Sequence, residues 1–473
     1  MQRKKHDLVV VGAGSGGFAA ARTARDLDAD VALVDHGPLG GLCILRGCMP
    51  SKTLIASSDA AHDVREAGEL GVHAGSITLD FEHIMRRKHR LIKGFADYRI
   101  EGIEQFPLYE GRARFLSHCE LQVGSDVVLE ADRFIIATGS VVAPASAVHG
   151  LKETGYIDSD GALELQQLPK SLIVLGGGYI GCELGQFFSR MGVKTSIVLR
   201  SRHLLSGEDH DVGESLTRYF IQEGIDVHTQ TQICGVSKRG EKKVVHVMRE
   251  GVDGELEAEE LLYCLGRVPN VAGLGCENAG IECHPITGIP TDETMRTTNP
   301  NIYAIGDVAA KHMLVHVAIY EGEIAARNAI AGVDERVVYD LVKTHTIFSD
   351  PQIAVVGETE RALQTKGVAY VKGTYDFSEH GKAMCINKTK GFVKMLAAAD
   401  GGKILGAAIV GPHASDLVHE VIVAMYYGGT VKQFIAIPHL HPTLAEIWTY
   451  PAEECVQKLA MAGAGEIEPE VAM

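Results

Sequence analysis

The sequence has 473 residues, of which 46% are hydrophobic and 22% are charged, and this composition predicts a globular protein of about three domains. Its 45 basic and 61 acidic residues give a formal net charge of −16. That balance argues against nucleic acid or an anionic membrane surface as a partner.

The cysteines and the amino terminus bear on the compartment. The ten cysteines are mostly isolated in the sequence, which favours a reducing cytoplasm over a secreted disulfide framework. The amino terminus carries the basic residues Arg3, Lys4 and Lys5, but the apolar run after them, residues 8–11, is too short for a signal peptide. No apolar run reaches the 18 or so residues of a membrane span, so none is predicted.

The first folded unit has the pattern of a dinucleotide site. Residues 7–11 form a β-branched apolar run that leads into Gly12-Ala13-Gly14-Ser15-Gly16-Gly17, a helix-like stretch over residues 18–27 and a second strand that closes at Asp35. Such glycines permit a tight turn and the close approach of a pyrophosphate to a helix N-terminus, and the acid can bind a ribose hydroxyl. The order of these elements predicts a dinucleotide bound at Gly12, Gly14, Gly17 and Asp35.

Two cysteines five positions apart, Cys43 and Cys48, follow this unit. In a straight helix the Cα atoms of residues i and i+5 lie roughly 8.6 Å apart, whereas a disulfide requires about 7 Å or less. A bond between them therefore needs a bend in the backbone, and Gly47 supplies the freedom for one. A strained disulfide beside a redox cofactor is easily reduced, which suits catalysis. Two ordinary buried cysteines, or half of a metal site, are the alternatives at this point.

Residues 81–144 are predicted to connect the cysteine motif to a second domain. Residues 81–98 have a helical pattern rich in Arg and Lys, which predicts a surface helix without chemistry of its own. Short strands are predicted within residues 111–130, and a buried strand at residues 134–136 leads into a turn of small residues. Pro144 marks a crossing between domains.

A second dinucleotide unit begins at residue 171. Its apolar run ends in Gly176-Gly177-Gly178-Tyr179-Ile180-Gly181, and the strand predicted for residues 195–199 ends at Arg200 instead of an acid. Two such units suit a flavin and a nicotinamide that exchange electrons. The alternative is a duplicated second fold that holds no ligand.

The last third of the chain contains one possible catalytic pair. Asp307 closes a strand that begins at residue 301 and could equally cap a helix. Helices are predicted over residues 313–331 and 415–427. His441 is followed five residues later by Glu446, and the pair forms an oriented base if the backbone between them turns, which Pro442 favours. An ordinary surface histidine is the alternative. Residues 447–473 are predicted to be a loose tail.

Taken together, these residues resemble the FAD-dependent pyridine-nucleotide disulfide oxidoreductases, and within them the dihydrolipoamide dehydrogenase branch. The resemblance runs from Asp7 to about Glu446. Its motifs in order are G-G-x-C-x-x-x-x-G-C-x-P-S-K, I-x-A-T-G-S, G-G-G-Y-I-G-x-E, G-R-x-P-N, Y-A-I-G-D and H-x-H-P-T-x-x-E.

The resemblance implies an α/β fold with two Rossmann-like dinucleotide-binding domains, for FAD and NAD(P), and a C-terminal α+β dimerisation domain. The implied boundaries are residues 1–145 for the first part of the FAD-binding domain, 146–270 for the NAD(P)-binding domain, 271–342 for the central part of the FAD-binding domain and 343–473 for the interface domain.

The resemblance also implies roles for individual residues. Cys48 would face the flavin, Cys43 would exchange with a dithiol or disulfide substrate, and His441 oriented by Glu446 would be the base that serves the neighbouring subunit of a homodimer. No metal is implied. The residues implied for FAD are Gly12, Gly14, Gly17, Asp35, Lys52, Ala113, Thr138, Gly139, Ser140, Asp307, Met313, Leu314, Val315 and His316. Those implied for NAD(P) are Gly176, Gly178, Gly181, Glu183, Arg200 and Gly266, and Glu183 would also pair with Lys52.

Several positions depart from the branch pattern and keep other substrates open. Arg46 places a charge beside the cysteine pair. The presence of Arg200 and Tyr179 in the second dinucleotide unit is similar to the pattern of glutathione reductases. An arginine at a strand end can bind the 2′-phosphate of NADP, so we expect NADP(H) to serve at least as well as NAD(H). The alternatives are an NADPH-dependent reductase of another low-molecular-weight or protein disulfide, and a non-catalytic flavoprotein subunit. Mercuric reduction is disfavoured, because only Cys455 stands where that activity needs a C-terminal cysteine pair.

Overall fold

The computed structural model describes residues 1–342 and 344–463, without the side chains of residues 341 and 342. Residue 343 and the predicted loose tail from residue 464 onward lie outside the described residues. In the part of the chain that is described, no helix is both long enough and apolar enough to cross a membrane.

The described chain is a succession of strands and helices in α/β order. The strands are β1 Gln2–Val11, β2 Val31–Asp35, β3 Leu108–Glu110, β4 Ala113–Phe115, β5 Glu120–Val123, β6 Val127–Ile136, β7 Ser140–Val142, β8 Ser171–Leu175, β9 Lys194–Val198, β10 Asp226–His228, β11 Thr231–Arg239, β12 Lys242–Arg249, β13 Val252–Ala258, β14 Glu260–Tyr263, β15 Arg267–Pro269, β16 Ile302–Ala304, β17 His345–Ile347, β18 Gln352–Gly357, β19 Tyr370–Asp376, β20 Phe392–Ala398 and β21 Ile404–Gly411. The helices are α1 Ser15–Arg25, α2 Gly41–Arg46, α3 Cys48–Glu66, α4 Phe81–Ile103, α5 Leu151–Thr154, α6 Ser159–Ala162, α7 Tyr179–Arg190, α8 His210–Gln222, α9 Val315–Ala331, α10 Tyr339–Val342, α11 Glu360–Lys366, α12 Gly381–Cys385, α13 Ala414–Tyr426, α14 Val431–Ile435 and α15 Thr449–Gly463.

The first sheet carries the amino-terminal dinucleotide unit. Its strands follow the order β3-β2-β1-β6-β5-β4, with β16 also paired to β6. β1 pairs in parallel with β2 and β6, so that Val10 lies opposite both Leu33 and Ile135. These side chains are fully buried, as expected for a strand covered on both faces. The carboxyl ends of β1, β2, β6 and β16 thus form one edge, where a nucleotide binds in this kind of fold.

Helices α1 and α9 pack closely beside this sheet. A Cβ atom at Gly322 would lie 2.5 Å from the carbonyl oxygen of Gly16, so the contact requires glycine. Helix α1 begins at Ser15, inside the glycine turn, and not at the predicted residue 18. Helix α9 begins at Val315 instead of residue 313, which leaves Met313 and Leu314 in the turn before it.

The second sheet has the parallel order β10-β9-β8-β14, as the second glycine unit predicts. An antiparallel layer, β11-β12-β13, adjoins it, and the short ribbon of β7 with β15 lies where the chain crosses from one dinucleotide unit to the other. The fold class is confirmed, whereas the exact domain boundaries stay a prediction.

The third unit is a five-stranded antiparallel sheet with the order β17-β18-β21-β20-β19. Helix α15 packs against it and corrects the prediction of a loose tail for residues 449–463. Ala452 and Cys455 are fully buried, and so is Trp448 just before the helix. A Cβ atom at Gly373 would lie 2.0 Å from the carbonyl oxygen of Pro451, so α15 lies directly on β19.

Helix α4 is also less simple than predicted. It extends to Ile103 and buries Met85, Lys88 and Ala96 together with that last residue. The ammonium group of Lys88 bonds Glu164 at 2.6 Å, which is how a buried lysine keeps its charge. The helix is therefore amphipathic and contacts both α2 and α3.

A buried lysine also joins the second and third units. Lys394 on β20 lies 2.7–2.9 Å from the carboxylates of Asp209, Asp211 and Glu360. These three carboxylates are spaced like the ligands of a metal ion, but the ammonium group of Lys394 holds the place between them. The cluster is therefore a structural ion-pair network.

Candidate active site

The two cysteines of the redox motif lie at a break between helices. Cys43 is in α2, Cys48 begins α3, and Gly47 between them has φ −131° and ψ −111°. A Cβ atom at Gly47 would lie 3.0 Å from the carbonyl oxygen of Leu42, so a larger residue would push the turn apart. The bend predicted for this pair is present. Both residues carry free thiols that hydrogen-bond to one another.

The two sulfurs are chemically unequal. The hydrogen bond with Cys43, aided by the charge of Lys52 and opposed by burial, lowers the pKa of Cys48 to about 7. The same hydrogen bond, together with burial, raises the pKa of Cys43 well above its usual range. The reactive form of a thiol is the thiolate. Cys48 is therefore the better thiolate and leaving group, and Cys43 holds the proton.

Lys52 is fixed one turn further along α3. Its ammonium group bonds a carboxylate oxygen of Glu183 at 2.7 Å and lies 4.5 Å from the ring centre of Phe348. The other oxygen of Glu183 accepts the backbone N–H of Phe348 at 3.0 Å. The predicted pairing of Lys52 with Glu183 thus joins the redox helix to the second dinucleotide unit. Phe348 was not predicted, because nothing in its sequence neighbourhood indicates that it lies beside Lys52.

The first glycine turn fits a dinucleotide. Gly12 has φ +110°, and a Cβ atom there would lie 2.3 Å from the carbonyl oxygen of Ala137, so only glycine fits. At Gly14 the nearest atom would be the Cα of Gly41 at 3.9 Å, which leaves space for a ligand. No side chain caps the start of α1 among the described residues. Its first N–H groups are thus available to a phosphate.

Asp35 lies beside this turn, as the βαβ pattern predicts. Its carboxylate accepts the N–H of Ala13 and of Gly37, each at 2.8 Å. The acid therefore ties the glycine turn to the loop after β2. Its ribose role stays a prediction.

The remaining residues predicted for FAD lie along the same edge of the first sheet or next to it. Asp307, in the short 3-10 helix Gly306–Ala309, accepts the hydroxyl of Ser140 at 2.6 Å and does not cap that helix. Thr138 donates to the carbonyl of Asn270 at 2.8 Å, and Gly139, at φ +71°, has open space around it. Ala113 begins β4, and Val315 and His316 begin α9.

The second glycine turn opens into a solvent-accessible cavity of about 650 Å³. Gly176 and Gly181 have the tight contacts of a βα turn, whereas Gly178 and Gly266 face open space. The cavity is also lined by Met313 and Leu314 from the turn predicted for FAD. It therefore lies between the two predicted cofactor sites, where a nicotinamide would have to reach a flavin.

Arg200 lies two residues beyond β9 and does not line this cavity. Its side chain is exposed and has no ion pair within residues 1–342 and 344–463. A free guanidinium at this strand end is consistent with a bond to a 2′-phosphate, and that role stays a prediction.

A buried polar group at the cavity wall was missed by the sequence reasoning. One oxygen of Glu208 accepts the phenol of Tyr179 at 2.5 Å and lies 2.9 Å from Nε2 of His345. The rings of Tyr179 and His345 stack with centres 5.5 Å apart. Although burial opposes ionisation, these two bonds hold the pKa of Glu208 below its usual range. Distances of 29 and 137 residues along the chain explain why no motif revealed the group.

His441 and Glu446 have the geometry that the motif required. Nδ1 of His441 lies 2.9 Å from a carboxylate oxygen of Glu446, which is in the 3-10 helix Ala445–Trp448. The imidazole is 79% exposed while the carboxylate is largely buried. His380, which the sequence reasoning missed, lies 3.7 Å from the other oxygen of Glu446. Burial lowers the pKa of His380.

The His441 loop and the cysteine pair are separate within one chain. No hydrogen bond or ion pair of the described residues joins them. The exposed ring nitrogen of His441 therefore points to solvent or to another molecule.

Comparisons with known proteins agree with this geometry. The family model for pyridine nucleotide-disulphide oxidoreductases matches residues 6–322, and the model for the dimerisation domain of that family matches residues 344–452. A dihydrolipoyl dehydrogenase from Geobacillus stearothermophilus is 35% identical over 453 residues, with 94% of this chain and 95% of that protein covered. A mercuric reductase from Streptomyces lividans is 34% identical over 465 residues, covering 96% and 97%.

The solved structures point the same way. The HOCl-induced flavoprotein disulfide reductase RclA from Escherichia coli superposes with a TM-score of 0.83 at 25% identity and covers 94% of this chain and 99% of that chain. The chain therefore belongs to the pyridine nucleotide-disulphide oxidoreductase family and is a flavoprotein oxidoreductase that uses FAD and NAD(P).

Proposed function

We propose that the chain passes two electrons between NAD(P)H and a dithiol or disulfide substrate through Cys43 and Cys48, and that its reaction is that of a dihydrolipoamide dehydrogenase. The observation that carries the proposal is the unequal thiol pair, in which the pKa of Cys48 is lowered to about 7 beside Lys52. Two cysteines with a purely structural role would not require this difference in pKa between their thiols.

The thiol chemistry follows from the inequality. A thiolate of the substrate dithiol attacks the sulfur of Cys43 in the Cys43–Cys48 disulfide, and Cys48 leaves as the thiolate, since the lower pKa makes it the better leaving group. The second substrate thiol then attacks the substrate sulfur of this mixed disulfide and displaces Cys43. The substrate is now a cyclic disulfide, and its electron pair resides on the enzyme dithiol. When bound, FAD supplies the route for that pair to NAD(P)⁺.

The substrate thiol must lose its proton before it attacks, and we assign this step to His441. Glu446 lies 2.9 Å from Nδ1 of His441 and fixes the ring with Nε2 outward, the orientation of a general base. Because nothing joins His441 to the cysteines of its own chain, the base would come from His441 of the partner subunit in a homodimer. Exposed apolar side chains in the same unit support such an interface, among them Tyr426, Tyr427 and Leu440.

Two features of the chain favour neighbouring activities. Arg200 favours NADP(H), which fits an NADPH-dependent reductase of another disulfide as the second candidate function. Mercuric reductases are among the relatives, but Cys455 is fully buried on the inner face of α15. The ten cysteines are mostly isolated in the sequence, which favours a reducing compartment, and we propose the cytoplasm.

One set of assays tests the proposal. Steady-state rates are measured side by side with dihydrolipoamide, with a dihydrolipoyl-domain protein and with oxidised glutathione, each with both nicotinamide cofactors. The account predicts the highest kcat/KM for a lipoyl dithiol. A higher value for glutathione would favour the second candidate, and a flavin that stays oxidised when reduced nicotinamide is added anaerobically would contradict both.

A further inference from the structure

We propose that Cys276 and Cys283 form a second redox-active dithiol, which small disulfides from solvent oxidise to an intramolecular disulfide. This inference goes beyond the proposed reaction and adds a site of reversible modification to the chain.

The two thiols meet because the chain reverses between them. Cys276 begins the short 3-10 helix Cys276–Ala279, and Gly280 ends it at φ +68°. The N–H of Ile281 then donates to the carbonyl of Cys276 at 3.0 Å, which closes the turn. The thiols of Cys276 and Cys283 thereby come into hydrogen-bond contact, although seven positions separate them in the sequence.

The backbone on both sides of Cys283 is held in place. On one side, the N–H of Glu282 donates to the hydroxyl of Thr298 at 2.9 Å. On the other side, His284 and Gly288 exchange two backbone hydrogen bonds of 2.9 and 2.8 Å. The fold therefore keeps the sulfur of Cys283 at its partner thiol.

The two thiols differ in their access to solvent. Cys283 is exposed, whereas Cys276 is 2% exposed in an apolar cluster that includes Phe115, Leu274 and Ile281. Burial, together with the negative charge of Cys283 and the hydrogen bond between the thiols, raises the pKa of Cys276 to about 12. A solvent oxidant therefore reaches Cys283 first, and Cys276 keeps its proton until then.

These properties define a thiol–disulfide exchange in two steps. The thiolate of Cys283 attacks a disulfide from solvent, forms a mixed disulfide with one half of it and releases the other half as a thiolate. The charge of Cys283 then no longer opposes ionisation of Cys276, which gives its proton to the released thiolate. The sulfur of Cys276 attacks that of Cys283 and displaces the second half, which takes a proton from solvent. The dithiol is thus oxidised to a disulfide, and the small disulfide is reduced to two thiols.

The pair is separate from the predicted relay through the flavin. Within residues 1–342 and 344–463, no hydrogen bond or ion pair joins residues 276–283 to α2 or α3, which carry Cys43 and Cys48. The 3-10 helix instead contacts β4, where Asn278 donates to the carbonyl of Phe115 at 2.9 Å. Oxidation of this second pair should therefore proceed without the first pair.

The test treats the reduced and desalted FAD-loaded enzyme with oxidised glutathione, blocks the remaining thiols and digests the protein with trypsin. Both cysteines fall in one peptide, residues 268–296, because no Lys or Arg lies between its ends. We expect this peptide to become lighter by two hydrogen atoms and to carry neither glutathione nor the blocking group, in wild type and in Cys43→Ser alike. The peptide of residues 383–388 is the internal control, since its one cysteine, the exposed Cys385, should carry glutathione or the blocking group.

Two single variants separate the roles of the sulfurs. Cys276→Ala should leave Cys283 with a lasting glutathione adduct, since no second thiol displaces it. Cys283→Ser should leave Cys276 as a free thiol, since it is buried. A lasting glutathione adduct on Cys283 of the wild type, or two free thiols in peptide 268–296 after the treatment, would overturn the proposal and leave the proposed reaction intact.

Discussion

The ion pair between Lys52 and Glu183 makes a quantitative prediction about the reactive thiol. After the hydrogen bond from Cys43, Lys52 is the strongest influence that lowers the pKa of Cys48, which is about 7, and a charge at such a site shifts a pKa by about one to three units. In Lys52→Met we expect the pKa of Cys48 to rise by about one unit, which corresponds to about 1.4 kcal/mol. At pH 7 the thiolate fraction should then fall from about one half to about one tenth.

The assay follows the absorbance that a thiolate gives beside oxidised flavin. The background is Cys43→Ser, since the serine hydroxyl keeps a hydrogen-bond donor next to Cys48. Titration with pH should give a midpoint near 7 when Lys52 is present and about one unit higher in Lys52→Met. The double variant Lys52→Met/Glu183→Gln removes both charges and should fall between them, because Glu183 raises the pKa of Cys48. A midpoint that does not move in Lys52→Met would refute the electrostatic role of this lysine.

Three further predictions concern the base, the cofactor and the ion-pair network. His441→Ala should lower turnover by about 10²–10⁴-fold with FAD content unchanged, and mixing it with Cys43→Ser should restore activity through hybrid dimers. Arg200→Glu should lower kcat/KM for NADP(H) by a factor equivalent to one charged hydrogen bond, about 1.5–3 kcal/mol. The kcat/KM for NAD(H) should not change. Lys394→Met should destabilise the fold by about 3–5 kcal/mol, since it leaves the buried carboxylate of Asp209 without an ion pair, whereas Lys366→Met, at a more exposed pair, should cost less than about 1 kcal/mol.

Each of these has a result that would count against it. Failure of rescue after confirmed subunit exchange would argue against a site shared between subunits. A wild-type enzyme that strongly prefers NADH, with that preference unchanged in Arg200→Glu, would show that the arginine does not meet the cofactor. Equal melting temperatures for Lys394→Met and Lys366→Met would show that the buried network is not stabilising.

Local signals explain what the sequence could predict. The two glycine turns, the parallel strands before them and the Cys43–Cys48 break all depend on residues close together in the chain, where the physical requirement fixes the residue type. Gly12 illustrates this, because any side chain would collide with backbone there. The same holds for His441 with Glu446, where a short separation and a proline were enough to foresee the contact.

Contacts distant in sequence explain the misses. Tyr179 and His345, which come from two different units, both contact one carboxylate oxygen of Glu208. No local sequence pattern predicts this contact. The tail was misread for the same reason, because α15 is held by its packing against β19, a strand that is distant in sequence.

The central claim is that Cys48 serves the flavin and Cys43 serves the substrate, and one comparison tests it most directly. Each single variant, Cys43→Ser and Cys48→Ser, is purified with FAD, and its long-wavelength absorbance is recorded above and below the Cys48 pKa of about 7. The account predicts that Cys43→Ser shows a band that rises as the Cys48 thiolate forms, and that Cys48→Ser shows none. A band in Cys48→Ser and its absence from Cys43→Ser would contradict the account and exchange the two roles.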